Sequence, residues 1–328
     1  LAKLAGSFRD RVAGALPEGP RRRRLWETIF DGPAAAAMLQ GEEAEARSLI
    51  DLEIERAAET GENNGHAPQG RVVLVGAGPG DPELLTMKAI RALKAADVVF
   101  HDKLVGEGVL ELARREAELI SVGKTKGAHS VPQSEINALL VARAKAGQTV
   151  VRLKGGDPFI FGRGGEELDA LRVENIAIEV IPGVTAGAAA AASLQIPLTH
   201  REVSHTVTFV SGHEAGGAAP SFEHLDLRAL ASGNNTLVVY MGVTTGAVIA
   251  RRLLDAGFRT ALPVIAVENA SRPKERRIAT TISTLAVDPD SLGLSSPAVL
   301  IFGEVAGLPA AGTVERILAH EEVVRAYA

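Results

Sequence analysis

Cysteine is absent from the 328 residues, which excludes a disulfide scaffold, a thiolate zinc site, an iron–sulfur cluster and catalysis by a cysteine nucleophile. Aromatic residues are scarce at 4%, with one tryptophan and two tyrosines, too few for the stacking platform of a single-strand nucleic-acid binder. Positive charge is not in excess either. At a net charge of −5, no global field draws the chain to nucleic acid or to an anionic membrane, and neither is expected as a partner. The most apolar tract, Gly183 to Leu198, is alanine-rich, contains Gln195 and is stopped by Pro197. It is too short and too polar to span a bilayer. The eight histidines are scattered without metal-ligand spacing, so no metal site is expected. No signal-peptide succession opens the chain, and a reducing, cytoplasmic compartment is the expectation. The first residue is Leu1 rather than methionine, which predicts that the natural beginning lies upstream.

The apolar share of 46% is ample for large cores, and the length suggests about two domains. Leu1 to about Pro68 differs from the remainder. Leu4, Phe8, Val12 and Leu16 recur every four residues, a helical stripe. Further stripes run through Leu25, Ile29 and Phe30, and through Leu49, Leu52 and Ile54. Basic residues crowd the front and acidic ones the back. The run Arg21 to Arg24 reads either as a nucleic-acid contact or as a solvated helix start. GENNGHAPQG, Gly61 to Gly70, has the composition of a linker.

Beyond it, short β-branched runs alternate with helical stretches, the signature of βαβ units and a mostly parallel sheet, hence an α/β class. Strands are expected at Val72–Val75, Asp97–His101, Glu118–Val122, Thr149–Leu153 and Ala177–Ile181. Helices are expected at Glu83–Ala95, Gly108–Arg115, Ser134–Ala146 and Gly165–Arg172. A second series offers strands at His205–Ser211, Asn235–Met241, Pro263–Glu268 and Ala298–Phe302, with a helix at Thr244–Ala256.

Glycine-rich connections mark the candidate site. VVLVGAGPGDPELLT, Val72 to Thr86, is a strand, a tight turn and a helix start, a place where backbone N–H groups approach a ligand. Asp81 stands where a dinucleotide fingerprint needs glycine, and the GK[ST] of a P-loop is absent. The glycines alone leave an ordinary βα connection open. RLKGGDPFIFGRGGEE, Arg152 to Glu167, places two glycine pairs in one crossover at the carboxyl end of a strand, where open α/β sheets bind ligands. IPGVTAGAAAAAS, Ile181 to Ser193, is a proline–glycine turn and a small-residue helix. Asp102 follows a strand and reads as a base or as a helix cap. Lys124 stands in the same relation to the next strand, and each alone reads as structural before catalytic.

The ordered set GAGPGD, HDKLV, VGK, RLKGGDPFIFGRGGEE, PGVTA, PLTHR, YMG and VEN resembles the tetrapyrrole methylase family over about Gly70 to Leu308. Within that family it is most similar to the uroporphyrinogen-III C-methyltransferases. The front, with RRRRLWETIF, resembles the dimerisation region of siroheme synthases. The fold this implies is a two-domain tetrapyrrole methylase with its active-site cleft between the domains, behind a small helical dimerisation segment. The divisions are a helical segment at 1–60, a linker at 61–70, α/β subdomains at 71–183 and 184–310, and a helix or tail at 311–328.

The activity implied is methyl transfer from S-adenosylmethionine, leaving S-adenosylhomocysteine, to two ring carbons of uroporphyrinogen III. Precorrin-2 then forms through precorrin-1, for siroheme or cobalamin biosynthesis, in a homodimer. The resemblance puts a proton acceptor at Asp102 and a proton donor at Lys124. It puts cofactor contacts at Pro79, Gly155, Gly156, Asp157, Ile160, Thr185, Ala186 and Met241, and at Ala270, where the family has glycine. The substrate bears many carboxylates, so Arg152, Lys154, Arg163 and Arg201 are expected among its contacts. The nearest alternative is a precorrin methyltransferase acting on a later corrin precursor. A dinucleotide oxidoreductase and a non-catalytic module are the alternatives from other classes.

Overall fold

The computed structural model describes residues 2–17, 19–59, 70–123, 131–214, 216–309 and 312–317. It divides into two compact units, Leu1–Pro68 and Gln69–Ala328.

The first unit is all helix: α1 (Ala2–Ser7), α2 (Arg9–Ala15), α3 (Gly19–Asp31), α4 (Pro33–Leu39) and α5 (Glu43–Glu59). Leu4, Phe8, Val12 and Leu16 bury one continuous stripe across α1 and α2, against Leu25, Ile29, Ala46, Ile50 and Ile54. The other two stripes differ from expectation. Phe30 and Leu52 are exposed, because the buried face of α5 follows Ala46, Ile50 and Ile54 at i, i+4 spacing. The arginine run lies in α3, where Arg21 donates to the Ala57 carbonyl at 2.7 Å. Arg11 pairs with Asp51, so the basic front and acidic back of this segment face each other.

The second unit holds two sheets. Strands β1 (Arg71–Gly76), β2 (Val98–His101), β3 (Glu118–Ser121), β4 (Thr149–Lys154) and β5 (Ala177–Ile181) form a parallel sheet in the order β3-β2-β4-β1-β5. Both faces of β1 and β4 are covered, which is why Val72–Val75 reads as an unbroken apolar run, while β4 buries Arg152 and Lys154 along with its apolar residues. Helices α6 (Met87–Ala95), α7 (Glu107–Leu110), α8 (Gln133–Lys145), α9 (Gly164–Val173) and α10 (Ala186–Ser193) connect or follow these strands. The helix expected from Glu83 starts later. A 3-10 turn at Pro82–Leu84 comes first, and the Thr86 hydroxyl then caps α6 by accepting from the Ala89 N–H at 3.1 Å. The one expected from Gly108 is a single turn, α7.

The second sheet contains β6 (Thr206–Ser211), β7 (Asn235–Tyr240), β8 (Pro263–Glu268), β9 (Arg276–Thr281), β10 (Ala298–Phe302) and β11 (Glu315–Arg316), in the order β11-β9-β8-β10-β7-β6. Helices α11 (Leu227–Ser232), α12 (Gly246–Asp255) and α13 (Ile282–Val287) complete it. Contrary to a mostly parallel expectation, β10 is antiparallel to both β7 and β8, and β8 is antiparallel to β9. Met241 is not in a strand, because its φ of +58° turns the chain away from the ladder. Among the described residues no helix is long and apolar enough to cross a membrane. The expected linker lies outside the described residues except for Gly70, and so does most of the tail beyond β11.

Candidate active site

The register of the parallel sheet sets Gly76 beside Lys154 and His101 beside Leu153. The connections leaving β1, β2, β4 and β5 therefore start from one edge. Three of them touch backbone to backbone. Gly78 and Gly156 exchange two hydrogen bonds, of 3.1 and 2.7 Å. A Cβ on Gly76 would lie 2.5 Å from the Gly183 nitrogen, and one on Gly183 would lie 2.3 Å from the Gly156 carbonyl oxygen. No side chain fits at either position. Asp157 closes the arrangement: its Oδ2 accepts from the Gly183 N–H at 3.1 Å and its Oδ1 from the Phe159 N–H at 2.9 Å.

Beside these loops, Asp102 leaves β2 with its carboxylate half-buried. Its Oδ1 accepts from Arg152 Nη2 at 2.5 Å. The same guanidinium donates from Nε to Glu167 Oε1 at 2.9 Å, and Lys154 Nζ reaches that oxygen at 3.0 Å. Gln133 Nε2, from the first residue of α8, donates to it as well, at 3.0 Å. Arg152 and Lys154 are each only 2% exposed and Glu167 is 0% exposed. Burial lowers the Lys154 pKa, helped by the Arg152 charge and opposed by Glu167 and Asp102. The other Glu167 oxygen, Oε2, is buried without a partner.

The second sheet contributes Tyr240 and Met241 at the end of β7. The Tyr240 hydroxyl lies 2.8 Å from Thr185 Oγ1 and accepts from the Gly187 N–H at 3.0 Å. Burial raises its pKa, and the bonds from Thr185 and Gly187 pull it back. Phe161 and Phe209 pack on its ring, with centroids 5.1 and 5.7 Å away. Ile160 and Ala186 pack against the core that contains Tyr240. From the turn after β8, Arg272 donates to the carbonyl of Pro79 at 3.0 Å and to that of Leu104. Left-handed backbone at residues other than glycine gathers around these loops: Phe161, Arg163, Met241, Asn269 and Ser271 all have positive φ. Such strain collects where the surrounding structure holds a functional geometry in place. Ala270, between two of these residues, is not in that region, so alanine stands there without strain.

Of the expected residues, the edge thus brings together Pro79, Asp102, Gly155, Gly156 and Asp157 with Thr185 and Ala186. Arg152 and Lys154, expected to meet substrate carboxylates, are buried and face Glu167 and Asp102 instead. Arg163 is exposed and pairs with Glu166 at 2.6 Å. Arg201 is exposed in the tight turn from His200 to Ser204. Lys124 lies outside the described residues. Among the described residues no cluster of metal-ligating side chains occurs. Sequence reasoning passed over Glu167, Gln133, Tyr240 and Arg272. Arg152 and Lys154 share one face of a central strand, which signals the need for a buried carboxylate but not which residue supplies it.

Comparison with known proteins agrees with this architecture. The family model for tetrapyrrole (corrin/porphyrin) methylases matches residues 71–286, and that for the sirohaem synthase dimerisation region matches residues 1–54. The siroheme synthase of Chromobacterium violaceum is 46% identical over 94% of this chain and 63% of its own length. That of Azotobacter vinelandii is 45% identical over 94% and 64%. The chain thus spans a little under two thirds of these relatives. Among solved structures, the uroporphyrin-III C-methyltransferase of Thermus thermophilus complexed with S-adenosylhomocysteine is 46% identical. The match covers 73% of this chain and all of that one, with a TM-score of 0.63. A cobalt precorrin-4 methyltransferase is 30% identical over 72% of this chain and 95% of its own, also at 0.63. By sequence and fold, the chain belongs to the tetrapyrrole (corrin/porphyrin) methylases.

Proposed function

We propose that this chain methylates uroporphyrinogen III at two ring carbons, giving precorrin-2 through precorrin-1 in the formation of siroheme or cobalamin, with S-adenosylmethionine as donor. The observation that carries the reading is Asp102, a carboxylate fixed at a strand end beside three glycine-walled loops. The higher identity to the uroporphyrin-III enzyme than to the precorrin-4 enzyme favours this substrate over a later corrin precursor.

The residues present suit the donor. Gly76 and Gly183 leave no room for a side chain, Gly156 has a φ of +69° that favours glycine, and Met241 is 49% exposed just after the end of β7. Pro79, Gly155, Gly156, Asp157, Ile160, Thr185, Ala186, Met241 and Ala270 would hold it. When bound, S-adenosylmethionine supplies an electrophilic methyl group on a positive sulfur. The chain's own task is then to align the substrate carbon and to move a proton. A pyrrole carbon that gains a methyl leaves a cationic ring, which must lose a proton from a neighbouring carbon. Asp102 takes that proton on Oδ2, since Oδ1 is engaged by Arg152. Lys124 is the corresponding donor. Arg163 and Arg201, both exposed, meet substrate carboxylates, while Arg152 and Lys154 act from within the protein by holding Asp102. The front segment pairs two copies into a homodimer, and the enzyme works in the cytoplasm.

The test is an anaerobic assay with uroporphyrinogen III and S-adenosylmethionine, in which S-adenosylhomocysteine and the methylated tetrapyrrole are measured by mass spectrometry. Addition of two methyl groups, lost in Asp102→Asn, is the expected result. Donor binding without methylation of uroporphyrinogen III would move the substrate to a later precursor.

A further inference from the structure

Glu167 has no place in the chemistry described so far, yet it is the most enclosed charged group beside it. Its Oε1 accepts from Arg152, Lys154 and Gln133, while Oε2, equally buried, accepts from nothing. A carboxylate serving only to neutralise its neighbours gains by sharing donors between both oxygens. Here all donors converge on one oxygen, which fixes the guanidinium of Arg152 by its Nε edge. The planar fork of Arg152 then has only one orientation, with Nη2 on Asp102 Oδ1 and Nη1 on the Leu153 carbonyl at 3.2 Å. Asp102 Oδ2 is left without a partner among the described residues.

We propose that Glu167 is a positioning residue, which sets the carboxylate of Asp102 through Arg152 and keeps one Asp102 oxygen open for the proton. This rests on the acid–base reading of Asp102. Without the Glu167 charge, Arg152 is released to turn both of its Nη groups onto Asp102. Lys154 loses its partner and competes for the same carboxylate, whose open oxygen then closes.

The experiment is a double-mutant cycle on the full chain. It measures kcat and the KM for each substrate for the wild type, Glu167→Gln, Asp102→Asn and the double variant, with thermal unfolding of each. Glu167→Gln is expected to lower kcat about tenfold or more with the KM for S-adenosylmethionine unchanged, and to cost nothing further once Asp102 is asparagine. Where Glu167→Gln does not fold, Glu167→Asp gives the same readout, since it keeps the charge and retracts it from Arg152. A wild-type kcat in the Glu167 variant overturns the proposal, and so does an equal loss with and without the Asp102 carboxylate. Full turnover by Asp102→Asn removes the acid–base reading itself, and this inference with it. Turnover lowered but measurable in Asp102→Asn, with Glu167→Gln lowering it by the same further factor as in the wild type, leaves the acid–base reading standing alone.

Discussion

The guanidinium of Arg272, carried by the turn after β8, donates from Nε to the carbonyl oxygen of Pro79 at 3.0 Å. With its second bond, to Leu104, it ties the second sheet to the loops that follow β1 and β2. A Cβ on Gly80 would lie 2.6 Å from Arg272 Cγ, so the glycine makes room for the arginine. Arg272→Ala should cost about 1–3 kcal/mol in urea unfolding and weaken S-adenosylmethionine binding in calorimetry. Arg272→Lys should not restore either, because a single ammonium does not span two carbonyls as the fork does. An unchanged unfolding midpoint in Arg272→Ala would show that the tie contributes nothing.

Gly183→Ala tests the backbone contacts of the cleft wall. The added methyl would meet the Gly156 carbonyl oxygen at 2.3 Å, and overpacking of this kind costs about 1–3 kcal/mol. Binding of the methyl donor should fall with stability, since the same loops carry both. Full donor affinity in a folded Gly183→Ala protein would place the donor elsewhere.

Lys154 gives a pH signature. Burial holds its folded-state pKa below the ordinary 10.5. Between that lowered value and 10.5 the unfolded chain binds more protons than the folded one, so this group makes stability rise with pH in that window. Below the folded value both states are protonated, and the cost is constant. The stability of the wild type relative to Lys154→Met should therefore climb as pH rises toward 10.5 and level off above it. Urea midpoints taken from neutral pH upward would reveal it, and a difference independent of pH would contradict the assignment.

The helical unit has a built-in reporter, because the single tryptophan of the chain, Trp26, lies in α3. Ile50 is fully buried in the core of that unit. Ile50→Ala should destabilise it by about 2–5 kcal/mol, lowering the midpoint seen by tryptophan fluorescence. The transition of the second unit, followed by hydrogen-exchange protection of the amides of β1 and β4, should hold. Coincident shifts of both would mean that the two units unfold as one.

Strands β1 and β2 were legible because strands covered on both faces are apolar almost throughout, and the loops after β1 and β4 were legible by their clustered glycines. Strand β9 was not. RRIATT has arginines in front and threonines behind, and it earns its place by pairing with β8 rather than by its own hydrophobicity. The antiparallel course of β10 was equally hidden, since direction leaves no mark on a short buried run such as AVLIF. At the site, Asp102 was visible as a carboxylate at a strand end. Glu167 was not, because two acidic residues in the first turn of a helix read as solvated partners of the helix dipole. Only burial separates Glu167 from its exposed neighbour Glu166.

Asp157 ties the connection after β4 to the one after β5, positions far apart along the chain but adjacent in space. With both of its oxygens fixed by N–H groups, it has no freedom to follow one loop without the other. The two walls therefore hold or yield as a unit. Disturbance at either loop should reach the bound donor as an all-or-none event, and a graded series of substitutions there should give a stepped loss of affinity rather than a sloping one.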